Sequence, residues 1–298
     1  MIYNNISELI GKTPLLRLRR LSAIDSINCE LLAKLEFLNP TASSKDRIAL
    51  KMIEESERKG LLDNETVIVE PTSGDTGIAL AAVAAARGYQ VILAIPRNFY
   101  QKKSETLKTL GAQIILTDSE KGMAGAVEAA RSIASAIVKT YIPMQFENEN
   151  NPEAHRLGTG AEIAADCESP VDILVCPIGS GGTITGCAKA LREVNPQLEV
   201  IGVEPMASPL LSKGWSACHN MHGIGMNFIP AVLDQSLITE VLTVETADAE
   251  AACQRIACTE GLLIGIASGA ALHAAIEVCR RPENEGKRIV VIFPDSQA

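Results

Sequence analysis

Aromatic side chains are scarce in this sequence. One tryptophan, four tyrosines and five phenylalanines among 298 residues supply too little ring area for an aromatic-rich β-sandwich core. The chain is 47% hydrophobic, drawn mainly from Ala, Ile, Val and Leu, which favours helices on buried parallel strands. Positive charge is also short. A formal net charge of −9 argues against nucleic acid or an anionic membrane surface as the main partner, so a bound anion must be held by local donors. The eight cysteines contain no CxxC pair, and several sit in apolar runs such as "DILVCP" around Cys176. They read as reduced small hydrophobes, with little support for disulfides or zinc. The four histidines lie apart in sequence, and no metal site is expected. No apolar run reaches membrane-spanning length, and "MIYNNISELIGKTPLLRL" carries neither a secretory nor an organellar signal pattern. A cytoplasmic location is the expectation. The length suits one large domain or two modest ones.

Against these absences stands a regular alternation. "ELLAKLE" (30–36), "TVIVEPT" (66–72), "QVILAIP" (90–96), "AQIILTD" (112–118), "DILVCPIGS" (172–180), "EVIGVEP" (199–205) and "RIVVIFPD" (288–295) each read as buried strands. "SKDRIALKMIEESERKG", "DTGIALAAVAAARG", "SETLKTLGA" and "MAGAVEAARSIASAI" read as helices, three of them with glycine stops. The pattern predicts an α/β fold with parallel sheets, whose ligands sit at the carboxyl ends of strands. The polar stretch 145–170, "QFENENNPEAHRLGTGAEIAADCESP", reads as the crossing between two α/β lobes.

Three loops carry candidate chemistry. "NPTASSKDRIAL" sets Lys45 among small and hydroxylated residues; it is either a solvated surface ammonium or an amine built for covalent work. "EPTSGDTGIALA" and "VCPIGSGGTITGCAKAL" are glycine-rich strand-to-helix turns. Glycine lets the backbone turn tightly and leaves no Cβ in a ligand's way. A helix start adds unpaired N–H donors and the positive dipole end. Together these make a phosphate seat that needs no cationic side chain. Taken singly, either turn could equally serve only close packing of a helix on a strand. "GSGGTITG", with Glu204 about 25 residues on, also loosely fits a dinucleotide-binding unit.

The motifs resemble those of the O-acetylserine sulfhydrylases (cysteine synthases) among the fold-type II pyridoxal-phosphate enzymes. "IGKTPLLRL", "LNPTASSKDR", "EPTSGDTGIALA", "QFENENNPEAH", "GSGGTITG", "GVEP", "GIGMNFIP", "GIASGAAL" and "FPDS" follow the family's order nearly end to end. The resemblance implies two lobes of twisted, mostly parallel sheets flanked by helices, as in the tryptophan synthase β subunit. It assigns 1–39 with 148–298 to a larger cofactor-phosphate-binding lobe and 40–147 to a smaller mobile one carrying the substrate loop. It implies that Lys45 is the catalytic amine and carries pyridoxal 5'-phosphate as an imine. Gly179, Ser180, Gly181, Gly182 and Thr183 would cradle the phosphate, and Ser268 would meet the pyridine nitrogen, a helix N-cap being the alternative. Asp75 would lie at the cofactor's 3′ oxygen. Thr72, Ser73, Gly74 and Thr76 would clasp the substrate carboxylate with Gln145 opposite, and Gly223 would line the substrate side. The implied reaction is β-replacement on O-acetyl-L-serine by sulfide, through an aminoacrylate, giving L-cysteine and acetate. The implied partners are a small amino-acid substrate, sulfide, a second copy in a homodimer, and the C-terminus of a serine acetyltransferase.

Three departures keep alternatives open. Position 75 is aspartate where these enzymes typically carry asparagine, and an ionised carboxylate cannot donate a hydrogen bond. "SGDTG" also occurs in the threonine synthase branch. Met226 and Asn227 replace smaller residues, and they either narrow the substrate mouth or point outward. Ala267 replaces one of two adjacent serines, and the family's usual tail beyond "PDS" is absent from the sequence. The alternatives are β-elimination from cysteine releasing sulfide, a threonine synthase-like γ-replacement, or a weakly active regulatory relative that binds the cofactor. A nucleotide-binding dehydrogenase would leave the lysine loop and "TSGDTG" unexplained.

Overall fold

The computed structural model describes residues 2–100 and 104–297. Its ten strands are β1 (Leu15–Arg17), β2 (Glu30–Leu35), β3 (Val67–Pro71), β4 (Gln90–Pro96), β5 (Gln113–Thr117), β6 (Thr140–Tyr141), β7 (Ile173–Pro177), β8 (Glu199–Pro205), β9 (Glu240–Val244) and β10 (Arg288–Phe293). All seven expected strands are present, but β5, expected to be buried, is an edge strand with none of its five residues buried. The chain divides into two compact units, Met1–Ile10 with Lys45–Asn151 and Gly11–Ser44 with Pro152–Ala298.

The larger unit holds a six-stranded sheet in the order β1-β2-β10-β7-β8-β9. All neighbours pair in parallel except the short β1, which is antiparallel to β2. Because side chains alternate along a strand, β10 splits its run between two cores. Ile289, Val291 and Phe293 face the helices Thr246–Glu260 and Ile266–Cys279, and Val290 and Ile292 face Ala161–Asp166 and Gly182–Val194. A strand covered on both faces has no polar side, which is why "RIVVIF" is apolar throughout. The parallel arrangement also sends the exits of β2, β10, β7 and β8 to one edge of the sheet, where residues 36–44, 294–297, 178–181 and 206–209 gather.

The smaller unit holds a four-stranded parallel sheet, β5-β4-β3-β6. Ile68, Leu93 and Ile95 pack on Ala49, Ile53, Leu80 and Val83 from the helices Lys45–Arg58 and Asp75–Arg87. Val69 and Ala94 are fully buried on the opposite face, which the helix Gly122–Ala136 covers. Gly88, left-handed at φ 78°, ends the second of these helices, as the glycine stop in its sequence implies.

The unit boundaries differ from the sequence expectation at three places. Met1–Ile10 belongs with the smaller unit, because Ile10 packs against the core around Leu80. Residues 40–44 belong with the larger, where Ser44 N donates to Pro294 O at 2.9 Å. Residues 148–151 group with the smaller, where Asn151 Nδ2 donates to Gln145 O at 2.7 Å. The polar stretch 145–170 is also more ordered than a crossing loop. It forms Asn150–His155, a π-helical turn Arg156–Gly160 and Ala161–Asp166 in succession.

In the larger unit this helical run lies close to Gly182–Val194. A Cβ on Gly186 would sit 2.1 Å from Pro152 O and 2.7 Å from Arg156 N. Alanine in a helix interior is ordinarily worth about 1 kcal/mol over glycine, but here backbone atoms block the methyl. Gly186→Ala is expected to destabilise the protein by about 1–3 kcal/mol through overpacking, seen as a lower urea midpoint. A raised midpoint would show that propensity outweighs the close approach.

Candidate active site

In the larger unit, β7 ends at Pro177 and the chain turns through Ile178–Gly181 into the helix Gly182–Val194. Gly181 is left-handed, at φ 83°, and a Cβ there would lie 2.6 Å from Leu233 Cβ. A Cβ on Gly179 would lie 2.1 Å from Gly223 O. Both glycines are therefore required by close approach. The N-cap residue Gly181 has no side chain to cap the helix, and the first intrahelical bond runs from Thr185 N to Gly181 O at 3.1 Å. The N–H groups of Gly182, Thr183 and Ile184 thus point out of the helix end with no carbonyl one turn behind them. Gly225 N donates to Ile178 O at 3.1 Å, which pins the 223–225 turn beside the seat and explains why Gly223 lies there. Met226 is half-buried and lines a small cavity with Gly179, Glu204 and Phe228, whereas Asn227 is exposed.

The exit of β10 organises the same edge. Ser43 pairs with Asp295 in an isolated bridge, and Ser44 N donates to Pro294 O. Ser268 is fully buried, its hydroxyl 2.5 Å from Asp295 Oδ1 and its N–H donating to the same carboxylate at 3.0 Å. Ser268 is the third residue of Ile266–Cys279, with Gly265 at the N-cap. The N-cap reading is corrected accordingly. Its environment also holds a carboxylate that the sequence reading did not include. Glu204, the marker of the dinucleotide-binding alternative, accepts from Leu211 N and Ser212 N, each at 2.9 Å. Those two bonds tie it to the short helix Leu210–Lys213.

In the smaller unit, Lys45 opens the helix Lys45–Arg58, half-buried, with Asp46 and Arg47 buried behind it. The 72–76 loop is organised by Thr72, whose hydroxyl accepts from Gly74 N at 3.0 Å and Gly77 N at 3.1 Å. Gly77 admits this because a Cβ there would meet Thr72 Cγ2 at 2.8 Å. Asp75 is the first residue of Asp75–Arg87, with its carboxylate at the positive end of that helix. Thr76 Oγ1 donates to Gln145 Oε1 at 2.8 Å, so the loop and Gln145 form one cluster. Ser73 is half-buried at its rim.

Comparison with known proteins gives this geometry its context. The family model described as "Pyridoxal-phosphate dependent enzyme" matches residues 6–295. A probable cysteine synthase of Bacillus subtilis is 45% identical over 283 residues, covering 94% of this chain and 90% of that protein. A cysteine synthase of Staphylococcus aureus is 39% identical over 294 residues, covering 98% and 94%. Among solved structures, a hydrogen sulfide-producing enzyme of Fusobacterium nucleatum superposes with TM-score 0.95 at 40% identity, over 99% of this chain and 98% of that one. The cysteine synthase of Entamoeba histolytica does so with TM-score 0.94 at 36% identity, over 99% and 88%. Among the described residues no helix is long and apolar enough to cross a membrane.

One residue of the cluster escaped the sequence reading. Glu70, in β3, is fully buried, and its carboxyl group accepts from Met144 N at 2.8 Å and Gln145 N at 3.1 Å. It thereby fixes the turn at Met144, left-handed at φ 53°, that presents Gln145. The signal was an acid inside the apolar run "VIVEP". Burial raises its pKa from the ordinary 4.5 to about 8, more than the two N–H donors lower it, and nearby Glu147 adds to the rise. A folded-state value above the unfolded one means the group's stabilising contribution is complete below 4.5 and lost as pH climbs through about 8. The urea midpoint is therefore expected to fall between about pH 5 and about pH 9, and Glu70→Gln to flatten that slope. An identical slope in the variant would contradict this.

Proposed function

We propose, since the chain belongs to the family of pyridoxal-phosphate dependent enzymes, that it makes L-cysteine and acetate from O-acetyl-L-serine and sulfide by β-replacement. The observation that carries this reading is the 45% identity to the probable cysteine synthase of Bacillus subtilis across 94% of the chain.

The residues present suit the cofactor. A phosphate fits a helix start whose N–H groups point outward behind two glycines that admit no side chain, with the Ser180 and Thr183 hydroxyls at hand. In this proposal Gly179 to Thr183 seat the phosphate, Ser268 meets the pyridine nitrogen, and Asp75 lies near the 3′ oxygen. Bound pyridoxal phosphate supplies a covalent anchor for the substrate amine and an electron-withdrawing ring that stabilises negative charge at the substrate α-carbon.

The chain's own groups do the remaining work. Lys45 Nζ takes the α-proton, and it returns that proton once sulfide has added at the β-carbon and acetate has left. Thr72, Ser73, Gly74 and Thr76, at a helix N-terminus, hold the substrate carboxylate with Gln145, and Gly223 lines the substrate side. These donors select a carboxylate-bearing amino acid over a plain amine and, by enclosing it, keep water from the reacting carbon. A cytoplasmic homodimer that receives the C-terminus of a serine acetyltransferase belongs to the same proposal and is supported by the family resemblance.

A second reading, release of sulfide from cysteine by β-elimination, is favoured by the similarity to the hydrogen sulfide-producing enzyme. It uses the same groups and differs in which β-substituent leaves.

Spectral titration separates the readings. Added O-acetyl-L-serine is expected to shift the visible band of the yellow holoenzyme, and sulfide to restore it with stoichiometric cysteine. A shift with O-phosphohomoserine and none with O-acetyl-L-serine would move the assignment to threonine synthase chemistry. Sulfide release from L-cysteine, without cysteine formation in the forward assay, would favour elimination. Lys45→Ala is expected to slow exchange of the substrate α-proton by at least about a hundredfold. Exchange at the wild-type rate would remove Lys45 as the base.

A further inference from the structure

Two cysteines of the larger unit that the reaction above does not use meet where its sheet begins, at the opposite ends of the strands from the glycine turn. Cys29 directly precedes β2, and Cys279 is the last residue of the helix Ile266–Cys279. Backbone bonds hold both in place. Gly286 N donates to Asn28 O at 2.8 Å and Glu30 N to Lys287 O at 2.9 Å. Residue 29 is thereby clamped on both sides to the segment that leads from that helix into β10. Buried Asn284, in the same segment, donates from Nδ2 to Val278 O at 2.9 Å, which fixes the last turn of the helix. Within this frame Cys279 is buried in the apolar core, and half-buried Cys29 packs against that core from its rim. The Cys279 thiol donates a hydrogen bond to the sulfur of Cys29.

That contact makes the two sulfurs unequal. Accepting the bond holds the Cys29 thiol below its ordinary value of 9.0, against the opposing effect of burial. Donating it, together with burial, pushes the Cys279 thiol up. Burial also pushes up Cys167, and Cys253 to about 11. The thiolate is the nucleophilic form of cysteine. Cys29 therefore combines thiolate character with access to solvent, while Cys279 stands behind it as a shielded S–H. An accessible attacking thiol beside a second, resolving thiol is the arrangement of a redox-responsive pair.

We infer that Cys29 and Cys279 form a redox site: a hydroperoxide oxidises Cys29, and Cys279 traps the product as a Cys29–Cys279 disulfide. In the first step the Cys29 sulfur attacks the peroxide. An S–O bond forms, the O–O bond breaks, and the departing hydroxide takes a proton from solvent to become water. In the second step the Cys279 sulfur attacks the Cys29 sulfur. The S–S bond forms, the S–O bond breaks, and the Cys279 proton leaves with the hydroxide as a second water. Two electrons pass from the thiols to one peroxide. Two equivalents of a small thiol reverse the change by exchange and leave as their own disulfide.

The bond ties the start of β2 to the end of the helix and closes a loop that contains residues 45–151 of the smaller unit. A cross-link over so long a loop restricts the unfolded chain, while both sulfurs lie away from the carboxyl ends of the strands. Oxidation thus stabilises the fold, leaves turnover unchanged and stops Cys29 at a reversible state. None of the residues assigned to the proposed reaction takes part.

Peptide mapping of peroxide-treated holoenzyme, alkylated and digested without reduction, tests this. The expected product is one peptide pair joined through Cys29 and Cys279, formed before the exposed Cys218 and Cys258 oxidise and returned to two thiols by dithiothreitol. The oxidised form is expected to melt about 5 °C higher, with kcat unchanged. Cys279→Ser removes the resolving thiol, so Cys29 is expected to run on to sulfinic acid, whereas Cys29→Ser is expected to leave Cys279 unmodified. Wild-type Cys29 accumulating as sulfinic acid beside reduced Cys279, oxidation of Cys218 and Cys258 first, or a bridge between other cysteines would each overturn the pairing. The wild-type map decides even where a serine variant does not fold. A Cys29–Cys279 bond that forms with no rise in the midpoint would overturn its stabilising effect.

Discussion

Short hydrogen bonds at the exit of β10 organise one edge of the larger unit's sheet. Pro294 O receives Ser44 N, and Asp295 pairs with Ser43, binds Ser268 through its carboxylate and receives Gly265 N at its carbonyl. Within the larger unit, the loop 36–44 is tied down at its last two residues. The same few atoms also orient the serine proposed to meet the cofactor ring. Gly265 cannot carry a side chain, since a Cβ there would lie 2.2 Å from Asp295 Oδ2.

The acidic composition sets the second constraint. With 36 acidic side chains against 27 basic ones, a phosphate has no global field to attract it and needs local dipoles. In the proposed reading, the start of Gly182–Val194 would supply them as backbone N–H groups whose geometry the glycines protect. Across the other unit, Thr72 spends its hydroxyl on the loop's own N–H groups. That leaves the loop shaped by internal bonds before any substrate arrives. Glu70 does the same for Gln145 from below. Both are positioning devices whose cost is a buried polar group, and both are met by backbone donors.

Much of this was legible in the sequence where burial is two-sided. Six of the seven apolar runs read as strands are largely buried, because parallel sheets covered on both faces need apolar residues along the strand, whereas β5 is an exposed edge strand. The unread strands leave no such run: β1 and β6 are only three and two residues long, and β9 has a single buried residue. The two glycine turns were legible because close approach demands glycine there, whereas the Lys45 loop was singled out by its small and hydroxylated residues and by the family resemblance. The contacts that organise their surroundings were not: Ser268 with Asp295 and Glu70 with the 144–145 turn are tertiary meetings of residues distant in sequence, with no local period to announce them. Lys34 shows the limit most plainly. It sits in the expected strand "ELLAKLE" as a fully buried lysine, explained by Glu162 at 2.9 Å, Asp166 at 4.0 Å and the carbonyl of Thr13.

The account stands on one covalent attachment point. Incubation with excess pyridoxal phosphate, reduction with borohydride and peptide mapping by mass spectrometry should find a single pyridoxyl adduct, on Lys45. An adduct confined to any other lysine, or no adduct at all, would contradict it.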